Sequence, residues 1–197
     1  MNPPGGQDEA GVRRTVTLVT GGARSGKSRF ARDLAARYLG RRAFIATAEA
    51  MDDEMRDRIR RHREERGELY ATVEEPIDLA AALGRLPGDT EVAIIDCLTV
   101  WLGNLLHRRG QGGGGAELVD LPEVSAFLAA VADPPCSLVL VTNEVGFGVI
   151  PENALARRYV ELLGRLNQDV AERAARVVLL VSGLPLALKG GLEEDLP

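Results

Sequence analysis

Eight consecutive residues carry the clearest chemistry in the chain. Gly21-Gly22-Ala23-Arg24-Ser25-Gly26-Lys27-Ser28 reads G-x-x-x-x-G-K-[ST] without a gap. Glycines at these positions let backbone N–H groups turn inward around phosphate oxygens. A helix that starts directly after them adds the partial positive charge of its N-terminus. The lysine of such a loop reaches the β- and γ-phosphates, and the hydroxyl after it ligates Mg²⁺. Lys27 and Lys189 are the only lysines in the sequence, and one of them stands where this loop requires it.

A second element is Asp96, which ends the apolar run Val92 to Ile95. An acid there orders the Mg²⁺ shell in phosphate-loop proteins, or it simply caps the following helix. There are two histidines. His62 flanks a thin apolar stripe of Met51, Met55 and Ile59, as a half-buried surface residue would. Alternatively it is a nucleophile or an acid–base group, because neighbouring Arg58, Arg61, Arg63 and Arg66 favour the neutral ring. His107 ends a predicted helix and fits a partner of the helix dipole. Asn143-Glu144 follows another strand, either orienting a reacting group or capping the turn. Asn167-Gln168 sits inside a long helix.

These residues need elements to position them. β-Branched and apolar runs predict five strands: Thr15 to Thr20, Ala43 to Thr47, Val92 to Asp96, Leu138 to Thr142 and Val177 to Ser182. Between them fall predicted helices. One follows the glycine-rich turn to about Leu39. Others cover Met51 to Glu65, Ile77 to Leu86 (opened by Glu75-Pro76), Thr99 to His107 and Pro122 to Ala132. The last is Glu152 to Ala174, with Leu155, Tyr159, Leu162, Leu166 and Val170 on one face. Alternation of this kind predicts a mainly parallel sheet covered on both faces, with ligands at its carboxyl edge. Gln111 to Gly115 reads as a loop.

Composition closes off other classes. The 197 residues are 45% hydrophobic and 27% charged, enough for one full core. Residues 15–189 are expected to form one α/β domain, with residues 1–14 an N-terminal extension and residues 190–197 a frayed tail. No apolar stretch approaches the ~18 residues of a membrane span. No signal-peptide pattern is visible, so a cytoplasmic location is expected. The count of 24 basic and 29 acidic residues leaves a net charge of −5, and aromatics are 4%. Both argue against a nucleic-acid-dependent ATPase. A regulatory GTP switch would need an Asn-Lys-x-Asp string, which is absent. Cys97 and Cys136 have no metal spacing and read as reduced thiols.

Taken in order, these strings resemble the bifunctional adenosylcobinamide kinase/adenosylcobinamide-phosphate guanylyltransferase family of cobalamin biosynthesis. The likeness runs from Leu18 through Ser28, then Ile45-Ala46-Thr47-Ala48, Asp52 to Met55, Arg58-Ile59 and His62-Arg63. It continues through Asp96-Cys97-Leu98-Thr99, Asn104-Leu105-Leu106, Thr142-Asn143-Glu144-Val145-Gly146, Pro151-Glu152-Asn153 and Gly164 to Gln168. It closes at Val181 to Pro185 and covers about residues 15–189. The phosphate loop alone is common to many families; the Thr-Asn-Glu-Val-Gly and Arg-Ile-x-x-His-Arg strings are far more specific.

The resemblance implies a P-loop NTPase-like (RecA-like) three-layer α/β sandwich. It implies phosphorylation of adenosylcobinamide by ATP or GTP, then transfer of GMP from GTP to adenosylcobinamide phosphate through a guanylylated histidine. His62 matches that histidine and Lys27 the phosphate-loop lysine. Implied nucleotide contacts are Gly21, Gly22, Ala23, Arg24, Ser25, Gly26, Lys27, Ser28, Thr47, Ala48, Glu49, Arg63, Glu64, Glu65, Arg66, Glu74 and Asp96. Ser28 and Asp96 would serve Mg²⁺. A homo-oligomer, a trimer, is implied as well. The chain departs from the family pattern at Arg61, where some members carry a second histidine, and at Gly67, where proline is frequent. Gly112 to Gly115 stands as a local insertion.

Overall fold

The computed structural model describes residues 14–49, 69–109, 121–148 and 150–192. Among these, the strands are β1 (Val16–Gly21), β2 (Arg41–Ala46), β3 (Ala71–Glu74), β4 (Thr90–Asp96), β5 (Ser137–Val141), β6 (Arg176–Val181) and β7 (Leu184–Lys189). The helices are α1 (Lys27–Ala35), α2 (Leu79–Gly84), α3 (Leu98–Arg108), α4 (Pro122–Ala132) and α5 (Ala154–Arg173). The sheet order is β3-β2-β4-β5-β1-β6-β7. Every pairing is parallel except β6 with β7, which is antiparallel.

Strand residues alternate between two cores, as a two-sided sheet demands. Leu18, Ile45, Ile95, Leu138 and Leu140 face a large apolar cluster with α2, α3, α4 and α5. Val19, Phe44, Ile94, Val139 and Val141 face a smaller one beneath α1. Trp101 and Phe127 are wholly buried in the larger cluster, with ring centroids 5.0 Å apart and planes at 63°. Helices packed on both faces of a mainly parallel sheet make a three-layer α/β sandwich.

Five strands and the helices from Thr99 onward follow the sequence expectation within a few residues. Two boundaries differ for local reasons. The first helix ends at Ala35 rather than Leu39, because Arg42 takes the carbonyls of Ala36 and Tyr38. α2 starts at Leu79 rather than Ile77. The Glu75 carboxylate accepts the N–H groups of Ile77 and Asp78 at 3.0 and 2.9 Å and holds a turn there. Asp78 then caps α2 by accepting the Ala81 N–H at 2.9 Å. The sheet also gains β3 and β7, one at each edge. The expected helix from Met51 to Glu65 and the glycine loop near Gly112 lie outside the described residues.

Candidate active site

Register places the chemistry in one row. Glu74 pairs with Ala46, Ala46 with Asp96, Asp96 with Val141, and Val141 with Val19. All are at the C-terminal ends of parallel strands. The segments that leave this row, Gly21 to Ser28, Thr47 to Glu49, Cys97 to Thr99 and Thr142 to Glu144, therefore emerge side by side.

The phosphate loop turns through left-handed backbone at Arg24 (φ 57°) and Gly26 (φ 100°). Gly21 is tightly placed: a Cβ there would fall on the Leu180 carbonyl oxygen. From the other side the loop is braced by the β6–β7 turn, where the Gly183 N–H donates to the Ser25 carbonyl at 2.9 Å. Gly26 caps α1 with no side-chain hydrogen bond, so the first-turn amides are available to an anion.

Lys27 is buried, and its Nζ donates to the Gly22 carbonyl at 2.6 Å and to Ser25 Oγ at 3.5 Å. Burial holds its pKa below the ordinary lysine value, and the Asp96 carboxylate works in the opposite direction. Ser28 Oγ donates to Asp96 Oδ2 at 2.7 Å. The helix-cap reading of Asp96 does not hold, because Cys97 occupies the N-cap of α3 and no side chain caps that helix. The Ser28–Asp96 pair presents oxygen donors, the kind a hard cation such as Mg²⁺ takes. Among the described residues no cluster of three His, Cys, Asp or Glu side chains forms a metal cage. A cation here would draw its remaining ligands from water and phosphate.

Thr47 is fully buried, and its side chain faces the protein. Its hydroxyl donates to the Cys97 carbonyl at 2.9 Å and accepts the Cys97 N–H at 2.8 Å. Asn104 clamps the same corner, donating to the carbonyls of Thr47 at 2.7 Å and Pro76 at 3.2 Å. Ala48 is half-buried and Glu74 is exposed at the strand end. Glu49 is paired with Arg108 at 2.7 Å. Gly22, Ala23 and Arg24 form the exposed crest of the phosphate loop. The candidate nucleophile His62, together with Arg63, Glu64, Glu65 and Arg66, lies outside the described residues. His107, exposed in the last turn of α3, fits the dipole reading.

A polar network adjoins the loop. Thr20 Oγ1 donates to Glu144 Oε1 at 2.6 Å, and the Glu144 N–H donates to the Gly21 carbonyl at 3.3 Å. Buried Thr142 donates to Asn167 Oδ1 at 2.8 Å, which turns the Asn167 amide group toward the Asn143 carbonyl (3.2 Å) and Glu144 Oε1 (3.5 Å). Thr99 Oγ1 accepts the Asn143 N–H at 2.9 Å, and Tyr159 donates to the Thr99 carbonyl at 2.7 Å. The roles of Thr20, Thr142 and Tyr159 were not visible in the sequence. Tyr159 reads there as one more apolar residue on the face of a helix, and single threonines in strands carry no spacing signal.

The profile of the cobinamide kinase / cobinamide phosphate guanyltransferase family matches residues 17–188. The chain belongs to this family. A bifunctional adenosylcobalamin biosynthesis protein of Pseudomonas aeruginosa is 44% identical over 178 residues, 88% of this chain and 96% of the relative. The Escherichia coli protein of the same description is 39% identical over 181 residues, 88% of this chain and 99% of the relative. Among solved structures, the RadB recombinase gives a TM-score of 0.46 at 14% identity, covering 84% of this chain and 73% of that one. The P4 protein of bacteriophage phi6 in complex with ADP gives 0.44 at 16% identity, covering 94% and 57%. For this cobinamide kinase / guanyltransferase, the phosphate loop, Asp96 and the Thr-Asn-Glu string share one sheet edge, as an enzyme of nucleotide chemistry requires.

Proposed function

We propose that the protein phosphorylates the aminopropanol hydroxyl of adenosylcobinamide with ATP or GTP, and then transfers GMP from GTP to the resulting phosphate. The observation that carries this reading is the Ser28–Asp96 hydrogen bond beside buried Lys27. It joins the phosphate loop to the strand-end acid at the sheet edge where triphosphates bind.

In the first step the loop amides and the α1 N-terminus hold the β- and γ-phosphates. Lys27 exchanges the Gly22 carbonyl for phosphate oxygen and neutralises charge on the transferred group. Ser28 and Asp96 would hold Mg²⁺, which supplies further neutralisation of the phosphate oxygens when bound. Ala48, Glu49, Glu74 and the backbone of Thr47 line the nucleotide side of the same edge.

In the second step neutral His62 attacks the α-phosphorus of GTP and pyrophosphate leaves. The phosphate of adenosylcobinamide phosphate then attacks the phosphoramidate, and GMP passes to it as the histidine is freed. Arg63, Glu64, Glu65 and Arg66 assist nucleotide binding. Splitting the transfer through a covalent intermediate predicts ping-pong kinetics.

The reading extends to a cytoplasmic homo-oligomer, a trimer on the family resemblance. It is supported by apolar side chains left exposed on β7. Among the described residues no helix is long and apolar enough to cross a membrane.

The deciding experiment is label transfer. The protein and Mg²⁺ are incubated with GTP labelled at the α- or at the γ-phosphate, and protein-bound label is tested for acid lability and base stability. Label from the α position alone, lost in His62→Ala, is the expected result. Label retained in His62→Ala, or none from either position, overturns the guanylyl-histidine.

A further inference from the structure

The phosphoryl transfer needs an acceptor for the proton of the attacking hydroxyl, and Lys27, Ser28, Asp96 and Glu49 do not supply it. Lys27 and Ser28 are donors. The Asp96 carboxylate, bonded to Ser28, is assigned with it to the metal, and Glu49 is paired with Arg108. Glu144 is placed differently. Its N–H is bonded to the carbonyl of Gly21, the first residue of the phosphate loop. Thr20 and Asn167 both donate to its Oε1, at 2.6 and 3.5 Å. Both donors belong to buried residues, at 3% and 8% exposure. Among the described residues no cation pairs with this carboxylate, and Oε2 receives no hydrogen bond.

Keeping polar side chains buried around one carboxylate oxygen has a cost that packing alone would avoid. Here it fixes a half-buried carboxylate by neutral donors, with one oxygen held and the other, among the described residues, without a hydrogen bond. The exposed Val145 and Phe147 follow immediately, so the ground beside Glu144 is apolar, as a bulky corrinoid would prefer.

We infer that Glu144 is the general base of the kinase step, its free oxygen taking the proton of the substrate hydroxyl. The inference rests on the reading given under Proposed function. As the hydroxyl oxygen forms its bond to the γ-phosphorus, the bond from that phosphorus to the β,γ-bridging oxygen breaks. The hydroxyl proton moves to Glu144, the nucleoside diphosphate leaves with the bond's electron pair, and Glu144 later returns the proton to water. Thr20 and Asn167 are positioning residues that hold the carboxylate.

The test compares both reactions in one variant. Glu144→Gln keeps the shape and an acceptor for Thr20 but has no basic oxygen. For phosphorylation of adenosylcobinamide, kcat should fall by about 10²- to 10⁴-fold, the span of general-base catalysis. The nucleotide KM should stay within about threefold, since binding is not the term removed. GMP transfer from GTP to preformed adenosylcobinamide phosphate has no hydroxyl to deprotonate and should fall by less than about tenfold. Equal losses in both reactions, or phosphorylation within about threefold of the parent, would overturn the assignment. Where E144Q does not fold, the same two assays on Glu144→Asp decide: selective loss of phosphorylation supports the base, and equal loss removes it. The unsubstituted protein is assayed in parallel. If it fails to phosphorylate adenosylcobinamide, the underlying functional reading falls; if it succeeds while E144Q is unimpaired, only Glu144 falls.

Discussion

Lys27 and His62 serve different reactions, and their substitutions should separate them. Lys27→Ala removes the one buried ammonium at the phosphate loop. Phosphorylation should drop by ~10²-fold or more, on the scale of a lost charge clamp. His62→Ala should abolish GMP transfer and leave phosphorylation measurable, read by following each product separately. The two thiols offer a prediction about protonation. Burial pushes Cys97 up to about 11 and Cys136 up to about 12. A raised pKa keeps the thiol protonated, and only the thiolate attacks alkylating reagents. Both cysteines should therefore resist iodoacetamide at pH 8 in the folded protein, and labelling should accelerate as pH climbs toward 11. In denaturant, where thiols return to about 8.5, both should label readily at pH 8. Rapid labelling of the native protein at pH 8 would contradict the burial described.

At the scale of elements, α3 and α4 meet through a buried aromatic pair. Phe127 is fully buried against Trp101, whose Nε1–H donates to the Ile77 carbonyl at 2.7 Å. Phe127→Ala empties the space of a fully buried ring. Urea unfolding should show a loss of about 3–5 kcal/mol. The elements that the sequence revealed are those whose burial leaves a strong pattern. Val92 to Ile95 and Leu138 to Val141 are buried on both faces and read as continuous apolar runs. β3 did not reveal itself, because Ala71–Glu74 is four residues long and half-exposed at an edge. β7 was hidden by Pro185 and by its place beyond the expected last strand; its N–H-less residue is tolerated at a sheet edge. The candidate site divides similarly. The phosphate loop was legible because backbone geometry dictates its glycines. Asp96 was legible as a strand-end acid with two readings; the cap reading falls because no side chain caps α3, and the carboxylate meets Ser28 instead. The hold of Thr20 and Asn167 on Glu144 was illegible, because residues 124 and 23 positions apart meet only through the sheet.

At the scale of the whole molecule, the two edges of the sheet are unlike. β3 is short and ends in Glu74. β7 is antiparallel to its neighbour and carries Leu184, Leu186 and Leu188 at alternate positions, 72%, 55% and 57% exposed. Residues two apart point to one face of a strand, so these leucines form a continuous apolar stripe, with Val181 at 56% exposure just before it. Monomeric proteins usually shield such edges with charge, and an unshielded apolar edge invites pairing. Lys189, the one cation on this strand, is turned away, donating at 2.9 Å to the carbonyls of Ala171 and Glu172 at the end of α5. It therefore does not protect the stripe. Sedimentation equilibrium should give a multiple of the 21.1 kDa chain mass, three-fold for the proposed trimer. Replacing Leu184, Leu186 and Leu188 together by lysine should shift that mass toward the single chain. The folded circular-dichroism signal should persist, because none of the three leucines is part of either buried cluster. A monomeric parent would refute the association, whereas an oligomer undisturbed by the three lysines would move the contact to another surface.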